Sequence, residues 1–400
     1  MPPRTPPAAR RLDAVLPPVI PRVAALHCQR PDALSLAQGM VNWGPPAAVA
    51  EAVAAALAEG GAGLDRYGPM AGDPALLELV RRELGGRRGL DLAESDLLVT
   101  AGSNMAFHAV VQVLCDPGDE VLLPLPWYSN HAMAIQLAGG VPMPVAAGPV
   151  PDLEILAAAI GPRTRAIVTV SPNNPSGVVM PAAVLQAINH LCAERGLLHL
   201  CDEAYADFVF GPVAHHSPGS AAGSGAHTAT FLSLSKSHGM AGWRIGYAAV
   251  PKALREPLAK VLDTVLICPP RLTQRAAAAA LATEPGWVAE RVATLAPRRA
   301  QLLQALAPAQ AWGLAPLAVP EGAFYALVEA PWSAGEETLL EHLVLRHGVA
   351  ALPGGAFGLV AQPGRVALRL SYGLLDPTAL AEALRRLVRA FRPEGRPSGI

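Results

Sequence analysis

The sequence has few charged residues, few aromatic residues and few cysteines. Charged residues make up 16% of the 400 positions, and 31 basic residues nearly balance 32 acidic ones. Proteins that bind nucleic acid or anionic membranes usually carry a marked excess of positive charge. This chain has no such excess, so neither kind of partner is expected.

The five cysteines are scattered, odd in number and outside any metal-ligand spacing. They are Cys28, Cys115, Cys192, Cys201 and Cys268. Cys115, Cys192 and Cys201 lie in apolar segments, where a reduced, buried side chain is the ordinary interpretation. We therefore expect no disulfide framework and no metal site.

Long apolar runs are also missing. No stretch reaches the roughly twenty apolar residues that a membrane-spanning helix needs. The segment Met1–Pro21 contains arginines and several prolines, and it has no apolar run of signal-peptide length. The sequence therefore predicts a cytoplasmic protein that is not inserted in a membrane.

The chain is long and rich in apolar residues. Four hundred residues, 52% of them hydrophobic, exceed what one core usually holds, which favours two domains. From Pro46 onwards, short apolar strands without in–out alternation are separated by helices, which is typical of a mostly parallel sheet covered on both faces. A long helix is predicted from Trp287 to about Leu306, followed by a smaller α+β unit.

These patterns predict an α/β protein in three parts. Residues 1–45 form an N-terminal arm and part of a small domain, residues 46–285 form a large domain, and residues 286–400 form the rest of the small domain. The small domain is thus expected to combine the two ends of the chain.

Three motifs follow predicted strands. They are SPNNPSG at Ser171–Gly177, CDEAY at Cys201–Tyr205, and SLSKSHGMAGWRIGY at Ser233–Tyr247. Taken singly, each has an ordinary explanation: a turn, a helix cap and a solvated surface lysine. Ligands of doubly wound sheets bind beyond the carboxyl ends of the strands, so the three motifs together indicate one site.

The ordered set N-P-S-G, D-E-A-Y, S-L-S-K and G-W-R-I-G resembles the fold-type-I pyridoxal-phosphate aminotransferases of class I/II. The resemblance runs from about Leu34 to Tyr372, nearly the whole chain. It implies the fold-type-I architecture, in which residues 46–285 bind pyridoxal 5'-phosphate. It also implies transfer of an amino group from an amino acid to a 2-oxo acid.

The resemblance assigns a role to each catalytic candidate. Lys236 would hold the cofactor as a Schiff base and, once displaced, would carry a proton from the substrate Cα to the cofactor. The cofactor ring accepts charge when its nitrogen is protonated, and Asp202 would pair with that nitrogen. Asn174 and Tyr205 would donate hydrogen bonds to the phenolate oxygen of the ring.

The segment Thr100–Asn104 lies between a strand and a helix start. Backbone N–H groups and the helix dipole favour an anion at such a place, although a plain strand–helix turn explains the segment equally well. By resemblance, a phosphate cup would consist of Gly102, Ser103, Asn104, Ser233, Ser235 and Arg244.

Aromatic residues would complete the cofactor site. Tyr67, in the segment LDRYG, matches a tyrosine that reaches the phosphate of the neighbouring subunit in this family. Tyr67 therefore implies a homodimer with shared active sites. An aromatic ring is also expected to stack on the cofactor. Tyr128 is preferred for that position, and Trp127 stays open as the alternative.

The substrate side follows from two further segments. By resemblance, Arg369, in the strand-like segment Arg365–Tyr372, would bind the amino-acid carboxylate through its bidentate fork, and a surface salt bridge is the alternative. Gly39 would add a backbone donor to that carboxylate, and Asn174 and Trp43 would complete the substrate site.

The segments Ser35–Pro46 and Leu266–Pro270 resemble the subgroup that acts on aromatic amino acids, methionine, glutamine or kynurenine. The resemblance implies an apolar, aromatic pocket. The amino donor is therefore expected to be an aromatic or other large apolar L-amino acid, such as methionine.

Two other functions stay open. A pyridoxal-phosphate-dependent β-lyase acting on S-conjugated cysteine would use the same residues to eliminate a leaving group. A non-catalytic, ligand-sensing aminotransferase-like domain would require an attached DNA-binding domain and often has a damaged site.

The remaining histidines carry weaker expectations. His215 and His216 adjoin a stretch of Gly, Ser and Pro residues, which predicts a solvated loop. His131 lies close to Trp127 and Tyr128 and is expected to reach the substrate pocket.

Overall fold

The computed structural model describes residues 7–59 and 63–393. Its strands are β1 (Leu34–Ser35), β2 (Ser95–Thr100), β3 (Glu120–Pro124), β4 (Val141–Val145), β5 (Thr164–Val170), β6 (Leu198–Asp202), β7 (Thr228–Ser233), β8 (Gly246–Pro251), β9 (Ala315–Pro316), β10 (Tyr325–Pro331), β11 (Val349–Ala350), β12 (Leu352–Pro353) and β13 (Arg365–Ser371).

Its α-helices are α1 (Val19–Gln29), α2 (Ala47–Ala58), α3 (Pro74–Arg81), α4 (Ser103–Leu114), α5 (Ser129–Leu137), α6 (Leu153–Ala158), α7 (Ala182–Arg195), α8 (Leu234–Ser237), α9 (Arg255–Val265), α10 (Arg271–Leu281), α11 (Pro285–Ala293), α12 (Leu295–Leu306), α13 (Gly335–Glu341) and α14 (Pro377–Ala390). Turns of π-helix at Arg82–Arg87 and His342–Arg346 continue α3 and α13.

The large sheet has seven strands in the order β2-β8-β7-β6-β5-β3-β4. Every neighbouring pair is parallel except those made by β8, which runs antiparallel to β2 and β7. This mixed α/β architecture, with a large and mostly parallel sheet, confirms the predicted fold class.

Helices cover both faces of this sheet. Successive strand residues point to opposite faces. Val121 and Leu123 belong to a core that α4, α5 and α9 close. Leu122, between them, belongs to a separate core with Leu156 of α6 and Ile188 of α7. Both faces of β3 are therefore buried, which explains why the central strands show no in–out alternation in the sequence.

The order of the central strands brings the three sequence motifs together. Strands β5, β6 and β7 are parallel neighbours that end at Val170, Asp202 and Ser233. The carboxyl ends of parallel strands meet at one edge of the sheet, where ligands of this fold class bind. The segments that follow these three strands consequently surround one place.

A second, smaller sheet is formed by strands from the later part of the chain. Its four strands are antiparallel in the order β12-β13-β10-β9. The short strand β1, near the start of the described chain, pairs in parallel with β11, with Leu34 opposite Val349. A segment early in the chain thus pairs with one late in the chain, while the division into domains at 45/46 and 285/286 stays a prediction.

The long helix predicted from Trp287 to Leu306 is instead two helices, α11 and α12, with Thr294 between them. Pro297 lies in the first turn of α12. Proline has no N–H to donate, and a helix tolerates it there because the first-turn N–H groups have no partner inside the helix. The proline therefore marks a helix start, which the apolar periodicity alone did not indicate.

Residues 7–59 and 63–393 lack two kinds of feature. No helix there is both long enough and apolar enough to cross a membrane. Nor does that part of the chain contain three or more His, Cys, Asp or Glu side chains grouped so that they could hold a metal ion.

Gly246, the first residue of β8, should be sensitive to substitution. A Cβ atom there would lie 2.6 Å from the backbone nitrogen of Ser103 and 2.8 Å from the carbonyl oxygen of Leu232. Backbone atoms cannot move aside as a flexible side chain can, so Gly246→Ala should destabilise the fold by about 1–3 kcal/mol. Chemical denaturation would measure this change in the free energy of unfolding.

Gly242→Ala is the matched control, because a Cβ atom at Gly242 would have no neighbour within 4 Å. It should change the free energy of unfolding by less than about 0.5 kcal/mol. Equal losses in the two variants would contradict the close approach of β8 to the start of α4.

Candidate active site

A cavity of about 150 Å³ opens at the carboxyl edge of the large sheet. Its walls are formed by Ser103, Asn104, Tyr128, Asn174, Asp202, Ala204, Tyr205, Ser233, Ser235, Lys236 and Arg244. Of the cofactor residues predicted from sequence, all except Gly102 and Tyr67 line it. The predicted residues therefore converge although they are spread over more than a hundred positions of the chain.

Lys236 lies in the short helix α8, directly after β7. Its Nζ atom donates a hydrogen bond of 2.5 Å to the carbonyl oxygen of Gly39. Burial lowers the pKa of the Lys236 amine to about 8, assisted by the positive charges of Arg369 and Arg244 and opposed by the Asp202 carboxylate. Near neutral pH the site therefore offers an amine that loses its proton far more readily than an exposed lysine does.

Asp202 is the last residue of β6, and both of its carboxylate oxygens have partners. Oδ1 accepts a hydrogen bond from the backbone nitrogen of Ala204 at 3.0 Å. Oδ2 lies 3.1 Å from Nε2 of His131, whose ring stacks on Phe107 with the ring centres 4.1 Å apart. The acid is thus held in one orientation at the cavity wall.

His131 is a residue whose contact the sequence reasoning missed. We expected it at the substrate pocket, and the structure places it against Asp202 instead. The available signal was its position three residues after Tyr128 at the start of α5, since residues so spaced share a helix face. Tyr128 and His131 do meet edge to face, with 5.1 Å between the ring centres.

The fold places Tyr128 and Trp127, the two candidates for stacking on the cofactor, in different surroundings. Tyr128 lines the cavity. Burial raises the pKa of its hydroxyl, whereas a hydrogen bond with Asn104 acts in the opposite direction. The indole of Trp127 packs closely on Gly358, and its backbone nitrogen donates to the carbonyl oxygen of Phe357. The geometry favours Tyr128 as the ring that meets a bound ligand.

One end of the cavity is built to hold an anion. Gly102 adopts a φ of +89° directly before α4, and no side chain caps that helix. Ser103 and Asn104, the first two residues of α4, line the cavity, and the dipole of a helix favours negative charge at its start. The Arg244 guanidinium donates to the carbonyl oxygens of Ala241 and Ala101, and a Cβ atom at Gly102 would lie 2.5 Å from its Nη2.

Two serines complete the anion end. The Ser233 hydroxyl donates a hydrogen bond of 2.8 Å to the hydroxyl of Ser235 and accepts one from the Ser235 backbone nitrogen. Both residues line the same cavity as Ser103 and Asn104 at the start of α4. Five of the six residues predicted for phosphate binding, all but Gly102, therefore line one cavity.

A family model described as "Aminotransferase class I and II" matches residues 31–387, almost the whole chain. The chain belongs to the class I and II aminotransferases. This confirms the family predicted from the ordered motifs.

Similar proteins within the family match at least 90% of this chain. The aromatic aminotransferase ISS1 of Arabidopsis thaliana is 33% identical over 92% of each chain. The arginine–pyruvate transaminase AruH of Pseudomonas aeruginosa is 36% identical over 90% of each. A solved structure of Thermus thermophilus aspartate aminotransferase with maleate is 33% identical, with a TM-score of 0.86, and the match covers 96% of this chain and 100% of that one.

Enzymes of this family depend on pyridoxal 5'-phosphate, and the cavity suits that group. The cofactor combines a phosphate, an aldehyde and a ring nitrogen that must stay protonated. The cavity offers the uncapped start of α4 and Arg244 at one end, the amine of Lys236, and the carboxylate of Asp202. Each chemical group of the cofactor thus has a residue of matching character in one cavity.

Arg369 lies on β13, in the small sheet, and is buried beside the cavity. Its Nη1 donates to Oδ1 of Asn174 at 2.9 Å, and its Nη2 donates to the carbonyl oxygen of Ala37 at 2.5 Å. Its guanidinium lies 4.4 Å from the ring centre of Tyr325. Within the described part of the chain, its Nε has no hydrogen-bond partner.

Gly39 and Trp43, also predicted to bind the substrate, make contacts within the protein that the sequence did not indicate. The Gly39 carbonyl accepts from Lys236, as described above. The indole of Trp43 stacks on Phe208 at 6.3 Å between ring centres, and its Nε1 donates to the carbonyl oxygen of Ser237 at 3.3 Å. In this structure Trp43 supports the lysine loop and does not line the cavity.

The prediction of a solvated loop at His215 was wrong. Its Nε2 lies 3.0 Å from Oε2 of Glu203, and the Ser217 hydroxyl donates to the other oxygen of Glu203 at 2.6 Å. Glu203 follows Asp202 directly and is itself buried. A buried carboxylate needs such partners, and polar composition alone did not indicate that this loop would supply them.

The pKa of Lys236 leads to a chemical prediction for the cofactor-free enzyme. Acylation requires the neutral amine, so the reaction at Lys236 should reach half its maximal rate near pH 8 instead of near pH 10.5. Peptide mass spectrometry after brief treatment with acetic anhydride would measure the extent of acylation of Lys236 at each pH.

Lys260, an exposed residue on α9, provides the internal control for the reagent's own dependence on pH. A Lys236 midpoint above pH 10 would contradict the burial and charge environment described for this site.

Proposed function

We propose that this enzyme transfers the amino group of an aromatic or other large apolar L-amino acid, such as methionine, to a 2-oxo acid, with Lys236 as the proton carrier. The observation that carries the proposal is one short segment. Its Ala37 carbonyl accepts from Arg369 and its Gly39 carbonyl accepts from Lys236. The carboxylate-binding fork and the base are thus held at a set separation.

Lys236 would take the proton from the substrate Cα. Pyridoxal phosphate, when bound, supplies an electron-withdrawing ring that stabilises negative charge on that carbon. The work of the amine is to accept the proton and return it, which requires a pKa near the working pH. Burial and neighbouring guanidinium groups bring the pKa of Lys236 to about 8.

Asp202 would hold a proton on the ring nitrogen of the cofactor. A buried carboxylate stabilises a cation beside it, and His131 keeps this carboxylate in place. Tyr205 and Asn174, on the cavity wall, would donate to the phenolate oxygen. Together they would balance charge across the ring and keep it in one orientation.

Arg369 would bind the substrate carboxylate. A guanidinium presents two parallel N–H groups that match a carboxylate, and a buried pair of this kind fixes the orientation of the ligand. Asn174 lies against Nη1 of the same guanidinium at 2.9 Å. Fixing the carboxylate would direct the Cα–H bond towards Lys236 and favour removal of the proton over loss of the carboxylate.

The preference for an apolar donor rests on charge and on aromatic surface. Lys236 and Arg244 are the cations among the described cavity-lining residues, and both are assigned to the cofactor. Arg369 is assigned to the substrate carboxylate, so the described residues that line the cavity offer no further cation for an acidic side chain. The rings of Tyr325 and Phe357 flank Arg369. Relatives at similar identity are named for aromatic, arginine and aspartate substrates, so overall identity does not select the donor.

A panel of amino donors tests the preference. With a fixed 2-oxo acid, kcat/KM for phenylalanine, tyrosine and methionine should exceed that for aspartate by about 100-fold, because an uncompensated charge in an apolar pocket is costly. Mass spectrometry of the 2-oxo-acid products would measure transfer, and Lys236→Ala, which lacks the proton carrier, should show none.

An S-aryl cysteine should be included in the panel. Pyruvate released faster than amino groups are transferred would favour the β-lyase alternative. If kcat/KM for aspartate equals that for phenylalanine, the proposed preference for apolar donors is wrong.

We propose further that the enzyme is a homodimer in which Tyr67 completes the site of the partner subunit. Tyr67 is 78% exposed in the single chain, although its segment resembles one that reaches a phosphate. The backbone nitrogen of Gly68 donates to Sγ of Cys268 at 3.3 Å, so the segments that carry Tyr67 and the exposed Ile267 are in contact. These side chains would form part of a subunit interface.

Mixed dimers test whether each active site contains residues from both subunits. Co-expressing Lys236→Ala and Tyr67→Ala chains under two affinity tags gives hybrids in which one site has both native residues. A purified hybrid should regain about half of the wild-type activity, whereas each parent dimer carries the same defect in both sites. Hybrid activity no higher than the mean of the two parents would contradict shared sites.

A further inference from the structure

Tyr325 contacts both Tyr205, proposed to bind the cofactor, and Arg369, proposed to bind the substrate. It is the first residue of β10 and is fully buried, with 1% of its surface exposed. Its hydroxyl oxygen lies 2.7 Å from the hydroxyl oxygen of Tyr205. Its ring lies against the guanidinium of Arg369 at 4.4 Å.

The sheet register explains how one side chain makes both contacts. Tyr325 pairs with Ser371 on β13, and Arg369 stands two residues earlier on that strand. Diagonal residues of this kind share a face of an antiparallel sheet and lie within reach of long side chains. The ring therefore supports the arginine from within the sheet, and the hydroxyl extends beyond it to the strand end that carries Tyr205.

Gly39 makes room for this arrangement. A Cβ atom at Gly39 would lie 2.4 Å from the Tyr325 hydroxyl oxygen, closer than any real contact. The segment that holds Lys236 and Arg369 through its carbonyl groups thus passes directly over the Tyr325 hydroxyl. A side chain at position 39 would push that hydroxyl away from Tyr205.

We propose that Tyr325 is a positioning residue, whose hydroxyl orients the hydroxyl of Tyr205 towards the cofactor and whose ring supports the Arg369 guanidinium. This inference rests on the proposed function, in which Tyr205 donates to the cofactor's phenolate oxygen. A hydroxyl that donates its proton to that oxygen accepts from a neighbour through its lone pairs. Tyr325 is therefore the donor and Tyr205 the acceptor.

The direction of this hydrogen bond has a measurable consequence. Hydrogen bonds in a chain polarise one another, so donation by Tyr325 makes Tyr205 a stronger donor to a negatively charged oxygen. Loss of the Tyr325 hydroxyl should then weaken the stabilisation of the phenolate. The pH midpoint at which the visible absorption band of the cofactor-loaded enzyme changes would rise.

Tyr325→Phe and Tyr325→Leu separate the hydroxyl from the ring. In the cofactor-loaded enzyme, Tyr325→Phe should raise the midpoint of the absorption change by about half to one pH unit. It should leave the Kd of 3-phenylpropanoate, a carboxylate without an amine, within about twofold, because the ring remains. Tyr325→Leu should weaken 3-phenylpropanoate binding about fivefold or more.

Tyr372→Phe is the matched control. Tyr372 is as deeply buried as Tyr325, and its hydroxyl has no hydrogen-bond partner in the described residues. The Tyr372→Phe enzyme should match the wild type in the pH midpoint of its absorption change and in its affinity for 3-phenylpropanoate. A midpoint shift equal to that of Tyr325→Phe would show a general effect of losing a buried hydroxyl and would overturn the proposal.

An unchanged or lowered midpoint in Tyr325→Phe would also overturn the proposal. Tyr205→Phe then distinguishes the two levels of the argument. If Tyr205→Phe raises the midpoint while Tyr325→Phe does not, the role of Tyr325 fails and that of Tyr205 in the proposed function stands. If neither raises it, the proposed role of Tyr205 fails as well.

Discussion

The buried amine of Lys236 is the group on which the site depends. Burial and two guanidinium groups disfavour its positive charge, while the Asp202 carboxylate favours that charge. The balance brings the pKa of the amine to about 8, within reach of physiological pH. A lysine at the same position in the sequence but open to solvent would stay protonated and would be unable to accept a proton. Both the cations and the acid must therefore be placed by the fold.

The fold does this with two sheets. The large sheet supplies the acid at the end of β6 and the lysine just after β7, and these two meet because β6 and β7 are parallel neighbours. The start of α4, which follows β2, contributes to the anion end. The small sheet supplies Arg369 and Tyr325 from adjacent antiparallel strands. The segment from Ala37 to Gly39 joins the two sets through its carbonyl groups. The position of the substrate carboxylate relative to the base thus depends on how these parts pack together.

The parts of the site that the sequence predicted are those carried by short motifs. Asp202 and Lys236 each stand in a recognisable segment at a strand end, and the structure brings both to one cavity. The contacts it did not predict join distant positions. Asn174 meets Arg369 across 195 positions of the chain, and Tyr205 meets Tyr325 across 120. No local pattern marks such pairs, because each residue is also consistent with an ordinary core or strand position.

The family, the mostly parallel sheet and the chemical type of the groups at each strand end are predictable from the sequence, because they follow from local apolar patterns and ordered motifs. Which of these groups touch depends on how the folded chain packs. His131 rests on Asp202 and His215 on Glu203, although the sequence suggested a substrate pocket and a solvated loop for these two histidines. The physical reason is burial. A carboxylate removed from water must find a partner, and only the packed fold determines which neighbour is close enough to serve.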